Sequence, residues 1–87
     1  MFKVYILSSV EHPDKTYVGK TIKPVQDRVK EHNAGLSQYT KAYKPWKLLY
    51  YETFYCDLCA DKREKFLKSG LGFRFRKIIY DNYAKLK

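Results

Sequence analysis

Residues Thr16–Thr21, TYVGKT, end in the Gly-Lys-Thr that closes a phosphate-binding P-loop. That loop also needs a glycine five residues earlier, so that its backbone N–H groups can wrap the phosphates. Position 14 is Asp, whose carboxylate repels a phosphate, and no glycine precedes Gly19. The chain is also too short for the βαβ repeats on which such a site sits. Nucleotide hydrolysis by a P-loop is therefore excluded, and interest moves to Tyr17. Four further residues join it. Arg28 and His32 stand four apart, side by side on one edge of a helical stripe. Glu64 sits at the margin of a second helix, and Tyr5 lies on the strand facing Tyr17. Taken singly, each has an ordinary structural reading: core aromatic, surface histidine, solvated helix charge. Together a phenol pair, a guanidinium, an imidazole and a carboxylate form a candidate site.

The elements that must position them follow from the pattern. Phe2–Ser9, FKVYILSS, is β-rich and apolar on both faces, as an inner strand would be. Pro13-Asp14 turns the chain, and TYVGK returns as the second strand of an antiparallel hairpin. KPVQDRVKEHNAG reads as a helix with Pro24 in its first turn and Gly35 at its end. Its inward stripe is Val25, Val29 and Leu36. LSQYTKAYKP reads as a loop, and WKLLYYETFY as a third strand. Asp57 is the expected N-cap of a helix running to Lys68, with Gly70 as its stop. Cys59, Ala60, Phe66 and Leu67 form its buried side. FRFRKIIYDNYAKL, residues 73–86, closes the chain as a third helix, with Phe73, Phe75, Tyr80 and Tyr83 mostly in the core. The expected fold class is α+β: one domain, residues 1–87, with a small three-stranded antiparallel sheet flanked by three helices in the order β-β-α-β-α-α.

Composition bounds the partners. Eighteen basic against nine acidic residues give a formal charge of +9. A small domain this basic most often meets a polyanion, here nucleic acid. The charges are spread along the chain, so folding must assemble any positive patch. Aromatics make up 17%, and each one buried removes roughly 150–250 Å² from water, which helps a chain this short hold a core. No 18-residue apolar run or signal-peptide pattern is present, so a soluble, cytoplasmic protein with no membrane partner is expected. Cys56 and Cys59, in CDLC, lack the second pair that a zinc site needs, and His12 or His32 would complete one only by coincidence of the fold. Their surroundings also lack a thioredoxin-like context. Both are expected to be small, partly buried residues at a helix start.

The motifs VYI (Val4-Tyr5-Ile6) and YVG (Tyr17-Val18-Gly19), followed in order by Arg28, His32 and Glu64, resemble the GIY-YIG nuclease family. The likeness covers nearly the whole chain. RVKEHNAG, YTKAYKPWKLLYYE and ADKREKFLKSG are similar to the small single-domain members, akin to the N-terminal domain of excision-repair nucleases. Val4 stands for the first motif's Gly and Val18 for the second motif's Ile; both tyrosines remain. The resemblance implies a metal-dependent endonuclease that hydrolyses DNA phosphodiesters in repair, recombination or processing. With no attached reader domain, it would select structure rather than sequence. It further implies one Mg²⁺ (or Mn²⁺) ion on Glu64 and a phosphate clamp by Arg28. Tyr17 would be general base and Tyr5 would orient the water. Lys20, with Arg28 and the metal, would lower the Tyr17 phenol from its usual value near ~10. His32 would hydrogen-bond a tyrosine or relay a proton. Asn82 is available to a metal site, but its spacing is not diagnostic. DNA over RNA rests on the resemblance, and a non-catalytic nucleic-acid-binding module of the same fold is the alternative.

Overall fold

A computed structural model describes residues 1–83. The strand that is apolar on both faces, β1 (Phe2–Ser9), lies in the middle of the sheet and is buried from Val4 to Ser9. It pairs antiparallel with β2 (Thr16–Thr21) on one side and β3 (Trp46–Phe54) on the other, in the order β2-β1-β3. Side chains alternate across a strand, so β1 feeds two cores. Val4 and Ile6 join Val18, Leu49, Ala60, Leu67 and Ile79 on one face. Tyr5 and Leu7 join Val25, Val29 and Trp46 on the other. The first core holds α3 (Asp57–Lys68) and α4 (Gly70–Tyr83), and the second holds α1 (Val25–Asn33). Fully buried aliphatics such as Leu67 contribute about 1.5–3 kcal/mol each, so these few positions keep α3 on the sheet.

The α+β class and the β-β-α-β-α-α order are as expected, with one addition. The segment read as a loop contains a one-turn helix, α2 (Gln38–Ala42). Five residues are too few to show helical periodicity, and tertiary bonds hold this turn. The Trp46 indole N–H donates to the Thr40 carbonyl at 2.7 Å. Asn33, at the end of α1, clasps the Trp46 backbone, donating to its carbonyl at 3.0 Å and accepting from its N–H at 2.6 Å. Gly35 takes φ 84, and its N–H bonds to the His32 carbonyl at 3.1 Å, closing α1 in the left-handed conformation that glycine adopts freely.

Several finer expectations need correction. Gly70 opens α4 and does not merely end α3. Ser69 is the pivot: it caps the end of α3, and its hydroxyl accepts from the Gly72 N–H at 3.2 Å. Cys56, not Asp57, is the α3 N-cap, its sulfur accepting from the Cys59 N–H. Both cysteines are exposed rather than partly buried. Leu36 lies past the left-handed turn and is 73% exposed; Phe73 and Tyr83 of α4 are also exposed, Tyr83 with its ring 5.7 Å from that of Tyr50. The last residues of the expected third helix, 84–86, lie outside the described residues. Among the described residues, no helix is long and apolar enough to cross a membrane.

Candidate active site

Tyr5 and Tyr17 share a face because of sheet register. Tyr5 pairs with Gly19 and Leu7 with Tyr17, so all four look toward α1. The missing side chain at Gly19 matters here. A Cβ at that position would lie 2.3 Å from the Tyr5 hydroxyl oxygen, so only glycine lets the phenol cross the neighbouring strand. The ring then reaches His32, on the last turn of α1. The Tyr5 Oη stands 2.8 Å from His32 Nε2, and the two rings of Tyr17 and His32 lie 4.9 Å apart.

His32 is 1% exposed and Thr40 and Tyr5 are 0% exposed, so their hydrogen bonds must be met within the protein. The chain of donors assigns the protons. Thr40 donates its hydroxyl hydrogen to the Ser37 carbonyl at 3.3 Å. Its oxygen therefore accepts from His32 Nδ1–H at 2.9 Å. This leaves Nε2 as an acceptor for the Tyr5 hydroxyl, with the Arg28 guanidinium also donating to it at 3.3 Å. The imidazole is neutral in this arrangement. Burial first, and then the Arg28 charge, hold its pKa below the usual histidine value. Burial likewise raises the Tyr5 phenol, although Arg28 opposes the shift. Tyr5 thus keeps its proton and gives it to His32 in a hydrogen bond.

Arg28 is placed by its own turn of helix: it pairs with Glu31, and Glu31 also takes Lys23 at 2.7 Å. Glu64 comes from the opposite side, where α3 borders the β2 edge. Its charge bears on Tyr5, and it pairs with Lys68 at 3.2 Å, one turn along α3. The Lys68 ammonium lies 6.0 Å from the centre of the Tyr17 ring. Tyr5, Tyr17, Arg28, His32 and Glu64 are therefore brought together beside the β1–β2 pair.

Lys20 is placed otherwise than expected. Residues three apart on a strand face opposite sides, so it leaves Tyr17 and turns toward α3. There Asp57 at 2.7 Å and Asp61 at 3.4 Å hold its ammonium. It fastens β2 to α3 one turn before Glu64. The cation over Tyr17 is Lys68, which the sequence signalled only as an i,i+4 partner of Glu64. Thr40 was missed too, because its helix was read as a loop. The Tyr5 hydroxyl is enclosed and bonded to His32. Asn82 is exposed, and its side chain donates back to the Ile78 carbonyl at 2.8 Å on α4.

For a metal, the donor set is sparse. Among the described residues, no three His, Cys, Asp or Glu side chains cluster as metal ligands. Glu64 offers hard carboxylate oxygens, with its side chain 19% exposed. One such carboxylate fits an oxygen-seeking ion that keeps several waters and takes its remaining ligands from substrate phosphate. It does not fit a closed zinc site. A family model described as the GIY-YIG catalytic domain matches residues 1–77, a span containing every residue of this site. No curated protein matches the chain.

Proposed function

The chain belongs to the GIY-YIG family, nuclease-type domains that act on DNA, and on that premise we propose that it is a divalent-metal-dependent endonuclease hydrolysing DNA phosphodiester bonds. The observation that carries this reading is the Tyr5–His32 bond with Arg28 on the same imidazole nitrogen, set beside Tyr17 and Glu64. Hydrolysis of a phosphodiester needs a water deprotonated and aligned opposite the leaving oxygen, with charge on the phosphoryl group neutralised. Tyr17 is partly exposed, and among the described residues its hydroxyl has no hydrogen-bond partner, so it is free to take the proton of an attacking water. The Lys68 ammonium stands 6.0 Å from the centre of its ring. Arg28 presents a planar fork to a phosphate oxygen. Tyr5 and Thr40 hold His32 in one tautomer, and His32 in turn fixes Arg28. Glu64 would hold Mg²⁺ or Mn²⁺, which when bound stabilises charge on the phosphoryl group and the leaving 3′-oxygen.

The substrate would be chosen by structure rather than sequence, in DNA repair, recombination or processing and in a cytoplasmic setting. The test is cleavage of duplex, branched and single-stranded DNA by wild type and Tyr17→Phe, with Mg²⁺ or Mn²⁺. Loss of the general base lowers turnover by about 10²–10⁴-fold, with DNA affinity unchanged. Turnover of Tyr17→Phe equal to wild type would remove Tyr17 from the chemistry. DNA binding by wild type without any cutting would assign the chain a binding role only.

A further inference from the structure

A row of aromatic rings leaves the site and runs outward along α2. Tyr17 and Tyr39 lie 5.9 Å apart at 30°, Tyr39 and Tyr43 5.5 Å apart, and Tyr43 and His12 5.4 Å apart. Tyr39 also stacks over Trp46 at 6.4 Å and 30°. Tyr17 and Tyr43 pack against the second core, and the other two rings of the row face outward. Tyr39 is 48% exposed at its centre and His12 is exposed at its outer end. Cations border it at both ends: Lys15 stands 5.5 Å from the Tyr43 ring and Lys68 6.0 Å from the Tyr17 ring.

Beside the row, a cavity of about 350 Å³ opens between the β1–β2 turn and α4, with Pro13, Thr16, Phe73, Arg76 and Lys77 in its wall. Arg76 Nε is buried there and, among the described residues, has no hydrogen-bond partner. The cavity wall offers a phosphate two cationic side chains, Arg76 and Lys77. Asp14 and Asp81 share the cavity wall.

Resting on the nuclease reading above, we propose that the Tyr39–Tyr43–His12 row is a stacking platform for unpaired nucleotide bases, with Arg76 taking a backbone phosphate, so that the substrate carries a single-stranded segment next to the cleaved bond. A duplex keeps its base faces stacked inside and offers phosphates alone. Unpaired bases offer π-faces, which aromatic rows bordered by cations engage without regard to sequence. The row begins at Tyr17, so a strand lying on it is delivered to the catalytic end of β2.

The test is equilibrium binding of a short single-stranded oligonucleotide and of its duplex, in chelator so that nothing is cut, by wild type, Tyr39→Leu and Tyr39→Trp. Stacking on one ring is worth enough to lower single-strand affinity about tenfold in Tyr39→Leu. Tyr39→Trp restores it, and duplex affinity does not move. An equal fall for both forms, or a fall for neither, overturns the proposal. If Tyr39→Leu does not fold, wild type is titrated with a single strand carrying 2-aminopurine. Quenching on binding is expected, and unchanged emission overturns the platform. A chain that binds this way and cuts nothing would end the nuclease reading and keep the platform. Cutting without strand preference at Tyr39 would do the reverse.

Discussion

Adding one methyl group at Gly19 should damage both the fold and the chemistry, by an amount the geometry fixes. The methyl of Gly19→Ala would lie 2.3 Å from Tyr5 Oη, 2.4 Å from Tyr5 Cζ and 3.0 Å from a ring carbon of Tyr17. Ordinary contact begins near 3.4 Å, so the phenol must retreat by about 1 Å (3.4 minus 2.3). Tyr5 is 0% exposed, so the retreat must displace packed neighbours. Overpacking of this kind costs about 1–3 kcal/mol. The retreat also breaks the 2.8 Å bond to His32, leaving buried polar groups unpaired at a further cost of about 1–3 kcal/mol. The sum is about 2–6 kcal/mol of stability, large for a domain this small. A displacement of about 1 Å in a catalytic assembly lowers turnover about 10²-fold. Urea unfolding followed by fluorescence of Trp46, which packs in the same core as Tyr5, measures the first quantity, and DNA cleavage measures the second. Tyr5→Phe serves as comparator, since it removes the bond without the clash and must therefore destabilise less. A Gly19→Ala chain as stable and as active as wild type would refute the close-approach argument.

His32 should make stability depend on pH. Its pKa is depressed in the folded chain, so the unfolded chain binds the proton more readily. Stability is therefore fully present above the unfolded value near 6.5 and falls as pH drops below it. Urea midpoints from about pH 7.5 to 5 should decline for wild type and flatten for His32→Gln; a midpoint that rises on acidification contradicts the neutral imidazole. Thr40→Val removes the acceptor for His32 Nδ1–H and should cost about 1–3 kcal/mol, with Thr40→Ser restoring it. Equal stability of Val and Ser variants, measured the same way, would mean that Thr40 does not set the tautomer.

The legible parts of this molecule are those where one local pattern decides the outcome. FKVYILSS is apolar on both faces and can only be an inner strand of a small sheet. Arg28 and His32, four apart beside Val25 and Val29, had to share one side of α1, although His32 is carried fully into the interior rather than onto a rim. What was not legible depends on distant partners. The α2 turn is held by Trp46 and Asn33, residues outside it, and so Thr40 stayed hidden. Lys20 was read by its distance in sequence from Tyr17, whereas strand alternation and two aspartates on α3 carry it to the other face. The aromatics of α4 were too numerous to sort by periodicity. Phe75 and Tyr80 pack against the core, while Phe73 faces outward beneath Arg76, whose guanidinium lies 5.5 Å from its ring.

The most direct measurement is a cleavage gel of wild type and Glu64→Gln on branched and single-stranded DNA, with Mg²⁺, with Mn²⁺ and with chelator, alongside DNA binding. The expected result is cutting by wild type only when metal is present, and none by Glu64→Gln although it still binds DNA. Cutting in chelator, or cutting by Glu64→Gln at the wild-type rate, would contradict the assignment of Glu64 as the residue that holds the metal.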